Sequence, residues 1–359
     1  MKVLIAGGGT GGHLFPGIAL AQELRQRDPS GQVLFVGSPR GIEARAVPKA
    51  GFDLTLLPIS GLRRMGVKEL LLGLARLPVA LWQAAGVVRR FRPDVAVSVG
   101  GYAAGPAVLM ARIWGVPCVV MEQNTVPGFT NKVLGRLAKR VITALPSRGF
   151  QAEKTVVLGN PVRQDLLAVR EMPYAPETPL RVLLFGGSQG ARALNRAMIE
   201  AAPALGALSS PPRIVHQSGP YDADAVRDAY AAAGLQDAQV VAFIDDMAAA
   251  YADADLIICR AGATSLAELT VCGRPALLVP FPAAVDDHQT VNAKTAQEAG
   301  AARMLPQSEL SSERLVGCIE ELAHDHERLR RMARASHELG RPHAARSIAD
   351  ALEETLEHV

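Results

Sequence analysis

The chain has 359 residues, which exceeds the size at which one hydrophobic core normally keeps growing, so two domains are expected. A hydrophobic content of 49% with 20% charged residues is typical of a soluble globular protein, and the net charge of +3 is too small to indicate a nucleic-acid-binding protein. The four cysteines lie far apart, which predicts reduced thiols in a cytosolic protein and neither a disulfide framework nor a zinc site.

The first predicted strand, residues 2–6, leads into a glycine-rich loop that ends in His13. Because the chain opens on a strand, no signal peptide is expected before it. A helix is predicted over residues 15–27, so the loop lies where parallel α/β sheets bind their ligands. Glycines let the backbone approach a ligand closely, N–H groups at a helix start attract anions, and histidine exchanges protons near neutral pH. The segment therefore predicts a phosphate-bearing substrate and a proton transfer.

This loop has two competing interpretations. Gly7, Gly9 and Gly12 fit the dinucleotide-binding pattern of nicotinamide dehydrogenases, but that fingerprint needs an acidic residue at the close of the second strand. The second predicted strand, residues 32–36, ends in glycine and serine, so no carboxylate is expected there. The other alternative is a tight turn capped by the histidine, with no catalytic role.

A basic and apolar segment follows the third predicted strand, residues 54–57. Its apolar stretch, residues 70–82, is interrupted by Arg76 and Pro78, which argues against a membrane-spanning helix. An apolar patch rimmed by positive charge predicts a surface that lies on anionic lipid. A core helix with solvated arginines is the alternative. The charged residues of the segment are Arg63, Arg64, Lys68, Glu69, Arg76, Arg89, Arg90 and Arg92.

Strands and helix-length segments alternate along the whole chain, which predicts parallel sheets with helices on both faces. The proline-rich residues 171–179 indicate a linker or exposed loop near a domain boundary, and residues 181–191 then repeat the strand and glycine loop of the N-terminus. We therefore expect an α/β protein of two doubly wound domains, residues 1–161 and 162–343, with a ligand cleft between them. A last helix, residues 344–357, is predicted to pack back on the first domain. The remaining predicted strands are residues 95–99, 118–121, 140–143, 155–157, 213–216, 239–243, 255–259 and 276–279.

The second half carries its own candidate phosphate site after the strand at residues 255–259. Gly262 frees the turn, and residues 263–265 offer backbone N–H groups at a helix start, which suits a diphosphate. Glu268, one turn further along, is a candidate for accepting hydrogen bonds from ribose hydroxyls. A carboxylate that merely stabilises the helix dipole is an equal alternative for Glu268.

Polar residues cluster at another predicted helix start, where Asp287, His288, Gln289 and Asn292 are candidates for binding sugar hydroxyls. Ordinary helix capping by Asp286 or Asp287 is the alternative. Two Asp-x-Asp pairs, at residues 222–224 and 253–255, are not expected to bind a metal, because hard cations need several convergent oxygens.

Six motifs occur in an order that resembles the MurG family of bacterial N-acetylglucosaminyltransferases over essentially the whole chain. They are Gly8-Gly9-Thr10-Gly11-Gly12-His13, Gly100-Gly101-Tyr102 with Pro106, Glu122-Gln123-Asn124, Gly159-Asn160-Pro161-Val162-Arg163, Gly186-Gly187-Ser188-Gln189-Gly190 and the stretch from Arg260 to Glu268.

The resemblance implies the GT-B fold, with two Rossmann-like domains, and transfer of N-acetylglucosamine from UDP-N-acetylglucosamine to the C4 hydroxyl of the muramic acid of lipid I. The product is lipid II, with the anomeric configuration inverted, and no cofactor or metal is implied. The resemblance also implies roles in peptidoglycan synthesis, cell shape and cell division. It implies a peripheral location on the cytoplasmic face of the plasma membrane, with cell-wall synthesis or division proteins as partners. Alternatives on the same fold are a UDP-sugar epimerase and a transferase for another lipid.

Carried over by position, the resemblance implies a set of donor contacts, in which Ile244 meets the uracil through its backbone and Glu268 holds the ribose. Met121 stands where many family members have a histidine, which removes any role for an imidazole there. The implied substrate-binding residues, with Tyr102 and Asn292 added from their motifs, are Thr10, Gly11, Gly12, Tyr102, Asn124, Arg163, Ser188, Ile244, Ala263, Thr264, Ser265, Leu266, Ala267, Glu268, Gln289 and Asn292.

Inversion by single displacement needs a base that takes the proton of the acceptor hydroxyl. His13 is the predicted base, and Glu122 is either a second candidate or a partner that orients His13. The helix start at residues 263–265 is predicted to stabilise the leaving diphosphate without a metal.

Overall fold

The computed structural model describes residues 1–39, 41–59, 67–147, 149–187, 190–284 and 287–357, and of residues 67–76 it describes the backbone. Contacts divide the chain into two compact units, residues 1–162 with 342–359 and residues 163–341. Each unit has its own parallel sheet, as expected for Rossmann-like domains. The proline-rich residues 171–179 belong to the second unit, where the Tyr174 hydroxyl donates to the Asp255 backbone oxygen at 2.7 Å.

Among the described residues, the first unit has a seven-stranded parallel sheet in the order β3-β2-β1-β4-β5-β6-β7. The reversal between β1 and β4 is the switch point at which doubly wound sheets bind ligands. The strands are β1 (Lys2–Gly7), β2 (Gln32–Gly37), β3 (Asp53–Leu56), β4 (Val95–Gly100), β5 (Cys118–Glu122), β6 (Arg140–Thr143) and β7 (Thr155–Val157).

Helices cover both faces of this sheet, and the C-terminal helix of the chain belongs to the first unit, where it packs against the first helix. Alternate residues of β1 therefore enter two different cores. Val3 and Ile5 pack in a cluster with Ile348 and Leu352, whereas Leu4 lies in a cluster on the opposite face. The helices are α1 (Gly11–Arg27), α2 (Glu43–Lys49), α3 (Val67–Phe91), α4 (Ala104–Ile113), α5 (Phe129–Leu137) and α14 (Ala344–Glu357).

The second unit repeats the topology with a six-stranded parallel sheet, counted over its described residues, in the order β10-β9-β8-β11-β12-β13. Its switch point lies between β8 and β11. The strands are β8 (Arg181–Phe185), β9 (Arg213–Gln217), β10 (Gln239–Val241), β11 (Leu256–Cys259), β12 (Ala276–Leu278) and β13 (Ala302–Met304).

Helices of the second unit bury its core against the sheet, where Val182 and Leu184 of β8 meet Leu194 and Met198. The four cysteines of the chain are free and buried. The helices are α6 (Asp165–Arg170), α7 (Arg192–Gly206), α8 (Ala223–Ala232), α9 (Met247–Asp253), α10 (Ala263–Val271), α11 (His288–Glu298), α12 (Ser312–His324) and α13 (His326–Leu339).

The predicted start of the first helix was wrong, and one strand was missed. The first helix begins at Gly11 rather than at residue 15, because the His13 and Leu14 N–H groups already donate to the Thr10 carbonyl, at 3.3 and 3.2 Å. His13 therefore lies in the first helical turn and not in the loop. Strand β13 was not predicted.

Candidate active site

The glycine-rich loop leaves β1 in a backbone conformation that favours glycine. Gly7, Gly8 and Gly9 have φ values of 145°, 134° and 88°. Thr10, at the N-cap of α1, is exposed, and the first turn of the helix contains no acidic residue. No side chain of the first turn therefore opposes the positive end of the α1 dipole, which favours an anion there.

His13 is half-buried in that first turn, and its ring is held by a side chain from β5's end. The Nδ1 atom lies 3.0 Å from Oε1 of Gln123, whose side chain is buried. An oxygen acceptor at this distance requires a proton on Nδ1, so in the neutral form of the ring the Nε2 lone pair is the one that can accept a proton. Within the described part of the chain, this is the one hydrogen bond of the ring. The arrangement is that of an imidazole with a fixed ring orientation.

Glu122 does not orient His13, contrary to one of its two predicted roles, because successive strand residues point to opposite faces of the sheet and Gln123 makes the contact. The buried Glu122 carboxylate instead anchors the loop that follows β5. It accepts hydrogen bonds from the Asn124 and Gly128 backbone N–H groups, at 3.0 and 3.1 Å, and from the side chains of Asn124 and Asn131, at 3.3 and 3.0 Å. Four donors on a carboxylate that is 2% exposed favour this structural role over that of a base.

Three further positions of the first unit were named from sequence. Asn124 is half-buried, and its side chain donates a hydrogen bond to Glu122. This bond fixes the side chain next in sequence to Gln123, the partner of His13. Tyr102 follows β4 and is 40% exposed, available to a ligand. Met121, 2% exposed, packs in the hydrophobic core, so this position faces away from solvent in the present chain.

A carboxylate does lie at the close of β2, where none was expected. Glu43, six residues beyond Gly37, reaches back to accept hydrogen bonds from the Ser38 N–H and hydroxyl and from the Gly9 N–H, each at 2.8 Å. It is 1% exposed. A dinucleotide ribose has no access to this group. Dinucleotide binding in the usual manner is therefore still not expected, because the carboxylate is buried and not because it is missing.

In the second unit, the last residue of β9 joins two of the predicted donor-binding segments. Gln217 donates from Nε2 to the Gly187 carbonyl at 2.7 Å and accepts at Oε1 from the Ile244 N–H at 3.2 Å. Gln217 was not singled out from sequence, because a glutamine at a strand end carries no distinctive pattern. Ser188, another predicted contact, lies outside the described residues.

The start of α10 has the features predicted for a diphosphate site. Gly262 is the N-cap residue, and no acidic residue stands in the first turn. Thr264, Ser265 and Ala267 are half-buried. Ala263 and Leu266 are buried and anchor the helix in the core.

Glu268 is the sixth residue of α10, beyond the first turn, so the dipole-stabilising interpretation is wrong. Its carboxylate accepts from the Tyr251 hydroxyl at 3.2 Å and lies 3.5 Å from the Arg163 guanidinium. Burial raises the pKa of Glu268 above its usual value, and the nearby Arg163 charge opposes this shift. The structure thus brings together two residues predicted from separate motifs, and Tyr251 is a third that the sequence did not reveal.

Two polar residues of α11 brace neighbouring loops. Gln289 accepts from the Phe281 N–H at 3.0 Å, and Asn292, 0% exposed, donates to the Ala261 carbonyl at 3.0 Å. In this conformation Asn292 reaches no surface, so it supports the loop before α10 rather than contacting a ligand. Asp287 occupies the N-cap position, but its side chain accepts from the Thr290 hydroxyl and not from a backbone N–H. Asp286 lies outside the described residues.

The acidic pairs are used within the protein. Asp222 accepts from the Asn195 amide at 2.7 Å, and Asp255, 0% exposed, lies 2.7 Å from the Arg181 guanidinium. No cluster of three or more His, Cys, Asp or Glu side chains that could hold a metal occurs among the residues with a described structure.

The described part of the basic segment contributes to a set of exposed apolar side chains, which we call the apolar patch. It is formed by residues of α3, of the α4 C-terminus and of α5, and α4 packs against both other helices. Residues 63–66 of the predicted segment lie outside the described residues, as do the side chains of residues 67–76. No helix in the described ranges is long and apolar enough to span a membrane. The patch consists of Leu77, Val79, Trp82, Ile113, Trp114, Phe129, Val133 and Leu137.

Both halves of the chain match models of one enzyme family. Residues 3–143 match the glycosyltransferase family 28 N-terminal domain and residues 181–352 match the C-terminal domain of that family.

Relatives from other bacteria are similar along nearly the whole chain. Proteins from Myxococcus xanthus and Anaeromyxobacter sp. strain Fw109-5 are 51% and 50% identical, over 98% and 99% of this chain and 92% and 94% of their own. Both are named UDP-N-acetylglucosamine--N-acetylmuramyl-(pentapeptide) pyrophosphoryl-undecaprenol N-acetylglucosamine transferase.

Solved structures give the same result at lower identity. The crystal structure of Acinetobacter baumannii MurG is 36% identical, has a TM-score of 0.78, and is matched over 98% of this chain and 99% of its own. A putative UDP-N-acetylglucosamine 2-epimerase from Listeria monocytogenes has a TM-score of 0.72 at 15% identity, over 100% of this chain and 97% of its own, which shows a shared fold alone.

Proposed function

Because the chain belongs to glycosyltransferase family 28 and to its MurG transferases, we infer that it transfers N-acetylglucosamine from UDP-N-acetylglucosamine to lipid I. The acceptor is the undecaprenyl-pyrophosphoryl N-acetylmuramyl-pentapeptide, and the product is lipid II. The observation that carries the chemistry is the oriented imidazole of His13 at the end of the glycine-rich loop.

His13 acts as the general base in this proposal. The Gln123 amide keeps the Nδ1 proton in place, so Nε2 takes the proton of the muramic acid C4 hydroxyl as that oxygen attacks the anomeric carbon. The bond from the anomeric carbon to the UDP oxygen breaks on the opposite face, and the anomeric configuration inverts. The first unit thus supplies the base.

The second unit supplies the donor-binding groups. UDP leaves with additional negative charge on its diphosphate, and the positive end of α10 stabilises that charge without competition from a first-turn carboxylate. Glu268, held by Tyr251 and Arg163, is oriented to accept hydrogen bonds from the ribose. Ile244 meets the uracil through its backbone, on a segment braced by Gln217.

Incubation of the purified chain with UDP-N-acetylglucosamine, with and without lipid I, tests the reaction. The proposal predicts lipid II and UDP when both substrates are present and an unchanged donor sugar when lipid I is omitted. Conversion of the donor alone would instead identify an epimerase. Turnover with another lipid acceptor but not with lipid I would identify a different transferase.

The apolar patch is the surface proposed to reach the lipid acceptor. Trp82 is 77% exposed and Phe129 is 67% exposed, on helices whose opposite faces contribute buried residues to the core. Exposed basic residues lie on the same helices or next to their ends, and from residue 95 to residue 140 the sole acidic residue is the buried Glu122. We place this surface on anionic lipid at the cytoplasmic face of the plasma membrane, where each nearby charge adds about 1 kcal/mol. The exposed basic residues are Arg89, Arg90, Arg112, Lys132, Arg136 and Lys139.

Vesicle flotation tests this surface. The wild-type protein is expected to bind vesicles with anionic lipid more tightly than neutral vesicles, and to release as salt rises. The double variant Trp82→Ser, Phe129→Ser is expected to bind about a hundredfold more weakly or worse, because burying each large apolar side chain contributes about 1.5–3 kcal/mol. Tyr221→Ser removes an aromatic ring of the second unit that is 81% exposed, and serves as the control with unchanged binding. Equal binding of the wild type to neutral and anionic vesicles would refute the placement.

A further inference from the structure

Glu43 is a buried carboxylate that the proposed reaction does not use. It opens α2 but points away from solvent, with 1% of its surface exposed. A buried charge is costly unless donors surround it, and here three donors do, from Gly9 and Ser38, all at 2.8 Å. Both carboxylate oxygens are used, Oε2 by Gly9 and Oε1 by Ser38.

Three glycines from different segments make room for this side chain. A Cβ atom at Gly8, Gly37 or Gly41 would lie closer than 3.0 Å to Glu43 atoms, a separation that real Cβ atoms essentially never show. The three positions lie in the loop after β1, at the end of β2 and just before α2. The Glu43 carboxylate fills the space that these glycines leave. A side chain at any of the three positions would displace it.

The loop held by Glu43 is fixed on its other side by the end of β4. The Gly8 N–H donates to the Gly100 carbonyl at 3.2 Å, and a Cβ at Gly101 would lie 2.5 Å from the Gly8 carbonyl oxygen. His13 packs on the same strand end, since a Cβ at Gly100 would lie 3.0 Å from its Nδ1 atom. The loop is thus held between Glu43 and the Gly100–Gly101 turn, and His13 rests on that turn.

We propose that Glu43 is a positioning residue for the transfer: its carboxylate fixes the Gly9 backbone, and with it the loop that leads into Thr10, the start of α1 and His13. This inference rests on the proposed role of His13 as the base. Glu43 itself touches no substrate. Its carboxylate oxygens are occupied by two backbone N–H groups and the Ser38 hydroxyl, so its contribution to the reaction is the fixed shape of the loop.

Glu43→Gln in the full-length protein is the test, because the amide keeps the size of the side chain but has one acceptor oxygen. Whichever way the amide turns, its NH₂ group faces the donor of Gly9 or those of Ser38. We expect a folded protein whose kcat falls about tenfold and whose Gly9 amide exchanges hydrogen faster. Ser38→Ala, which removes one donor from Oε1 and leaves the Gly9 bond intact, is the control, with kcat within about twofold of wild type.

A double-mutant cycle separates positioning from a general loss of stability. In a His13→Ala background, Glu43→Gln is expected to lower the residual turnover by no more than about twofold. An equal loss in both backgrounds, or wild-type kcat in Glu43→Gln alone, would overturn the proposal. If Glu43→Gln does not fold, Glu43→Asp carries the same cycle, since it keeps the charge but is one methylene too short to reach Gly9.

The result also distinguishes this inference from the proposed function. Near-wild-type turnover of His13→Ala alone would remove the base assignment. In that case a tenfold lower kcat of Glu43→Gln, together with faster hydrogen exchange at the Gly9 amide, would still support a positioning role for Glu43. The absence of both effects would overturn that role.

Discussion

Glu268, a residue of the proposed donor site, shows how a buried charge opposes the stability of the fold around it. Its carboxylate is 8% exposed, and burial raises its pKa, which means that the charged form is less favourable in the folded chain than in the unfolded one. Tyr251 and Arg163 offset part of this cost. A buried acid with a raised pKa stabilises the fold in its protonated form, and this contribution is lost as pH rises through the raised pKa.

Glu268→Gln is therefore expected to be at least as stable as wild type near pH 7.5, with a gain of up to about 1 kcal/mol, because the charge that must be buried is gone. The gain is expected to shrink toward pH 4.5, where the wild-type carboxyl is protonated. Melting temperatures at the two pH values measure this, and a variant equally destabilised at both would contradict it.

The same substitution is expected to raise KM for UDP-N-acetylglucosamine about tenfold or more, since hydrogen bonds to charged groups contribute about 1.5–3 kcal/mol. Tyr251→Phe is the matched variant: it keeps the carboxylate and removes one hydrogen bond that orients it, so a smaller rise in KM is expected.

At the scale of elements, strand β9 carries a buried network of hydrogen-bonded side chains in the second unit. His216, 0% exposed, bonds the Tyr230 hydroxyl at 2.8 Å and the Asn195 amide oxygen at 3.1 Å, and Asn195 in turn donates to the Ser218 carbonyl. Asn195 Oδ1 is an acceptor here, so His216 carries its proton on Nε2 and is neutral. Burial lowers the pKa of His216 to about 4.

A histidine with a lowered pKa stabilises the fold above its ordinary pKa of about 6.5, and this contribution is lost as pH falls toward about 4. Wild type is expected to lose about 2 kcal/mol between pH 7 and pH 5 from this group alone. His216→Gln, which keeps polar atoms but cannot take up the proton, is expected to be less stable at pH 7 and to lose less on acidification. Melting curves at both pH values check this, and parallel losses in the two proteins would disprove it.

Element patterns were the part of the fold most readable from sequence. The predicted doubly wound parallel sheets are confirmed, because buried strands of apolar residues alternate with helices and glycines mark the turns that require positive φ. The glycine loops and the start of α10 were found for the same reason. Boundaries were less accurate where hydrogen bonds to Thr10 extend α1 backward into the glycine loop.

Residues that act by reaching across the fold were not predictable in this way. Glu43, Gln123, Gln217 and Tyr251 are ordinary polar residues in the sequence, and each acquires its role from a partner at least 17 positions away. Glu122 was assigned a contact that belongs to its neighbour, because the side of the sheet to which a strand-end side chain points depends on register.

At the scale of the whole molecule, the C-terminal end of the chain packs in the first of the two compact units. Helix α14 contributes Ile348 and Leu352 to the core beneath β1, and Arg27 and Arg140 form ion pairs with acidic residues of the helix. The C-terminal segment is therefore part of the first unit, although it follows the second unit in the sequence.

Leu352→Ala is expected to destabilise the first unit by about 2–5 kcal/mol, the usual cost of removing a fully buried leucine side chain. Leu322→Ala, at an equally buried position of α12, is the matched variant for the second unit. Limited proteolysis with mapping of the cut sites tells the two apart: each variant should open its own unit first. Cleavage of the second unit first in Leu352→Ala would contradict the assignment.

The proposed transfer depends most on His13 as the base. One comparison tests this role directly: turnover with lipid I and calorimetric binding of UDP-N-acetylglucosamine, measured on wild type and on His13→Ala. Loss of the base is expected to lower kcat by about 10²–10⁴-fold. Donor binding is expected to stay within about threefold, because its predicted contacts lie mainly on the second unit. Near-wild-type turnover by His13→Ala would contradict the central claim.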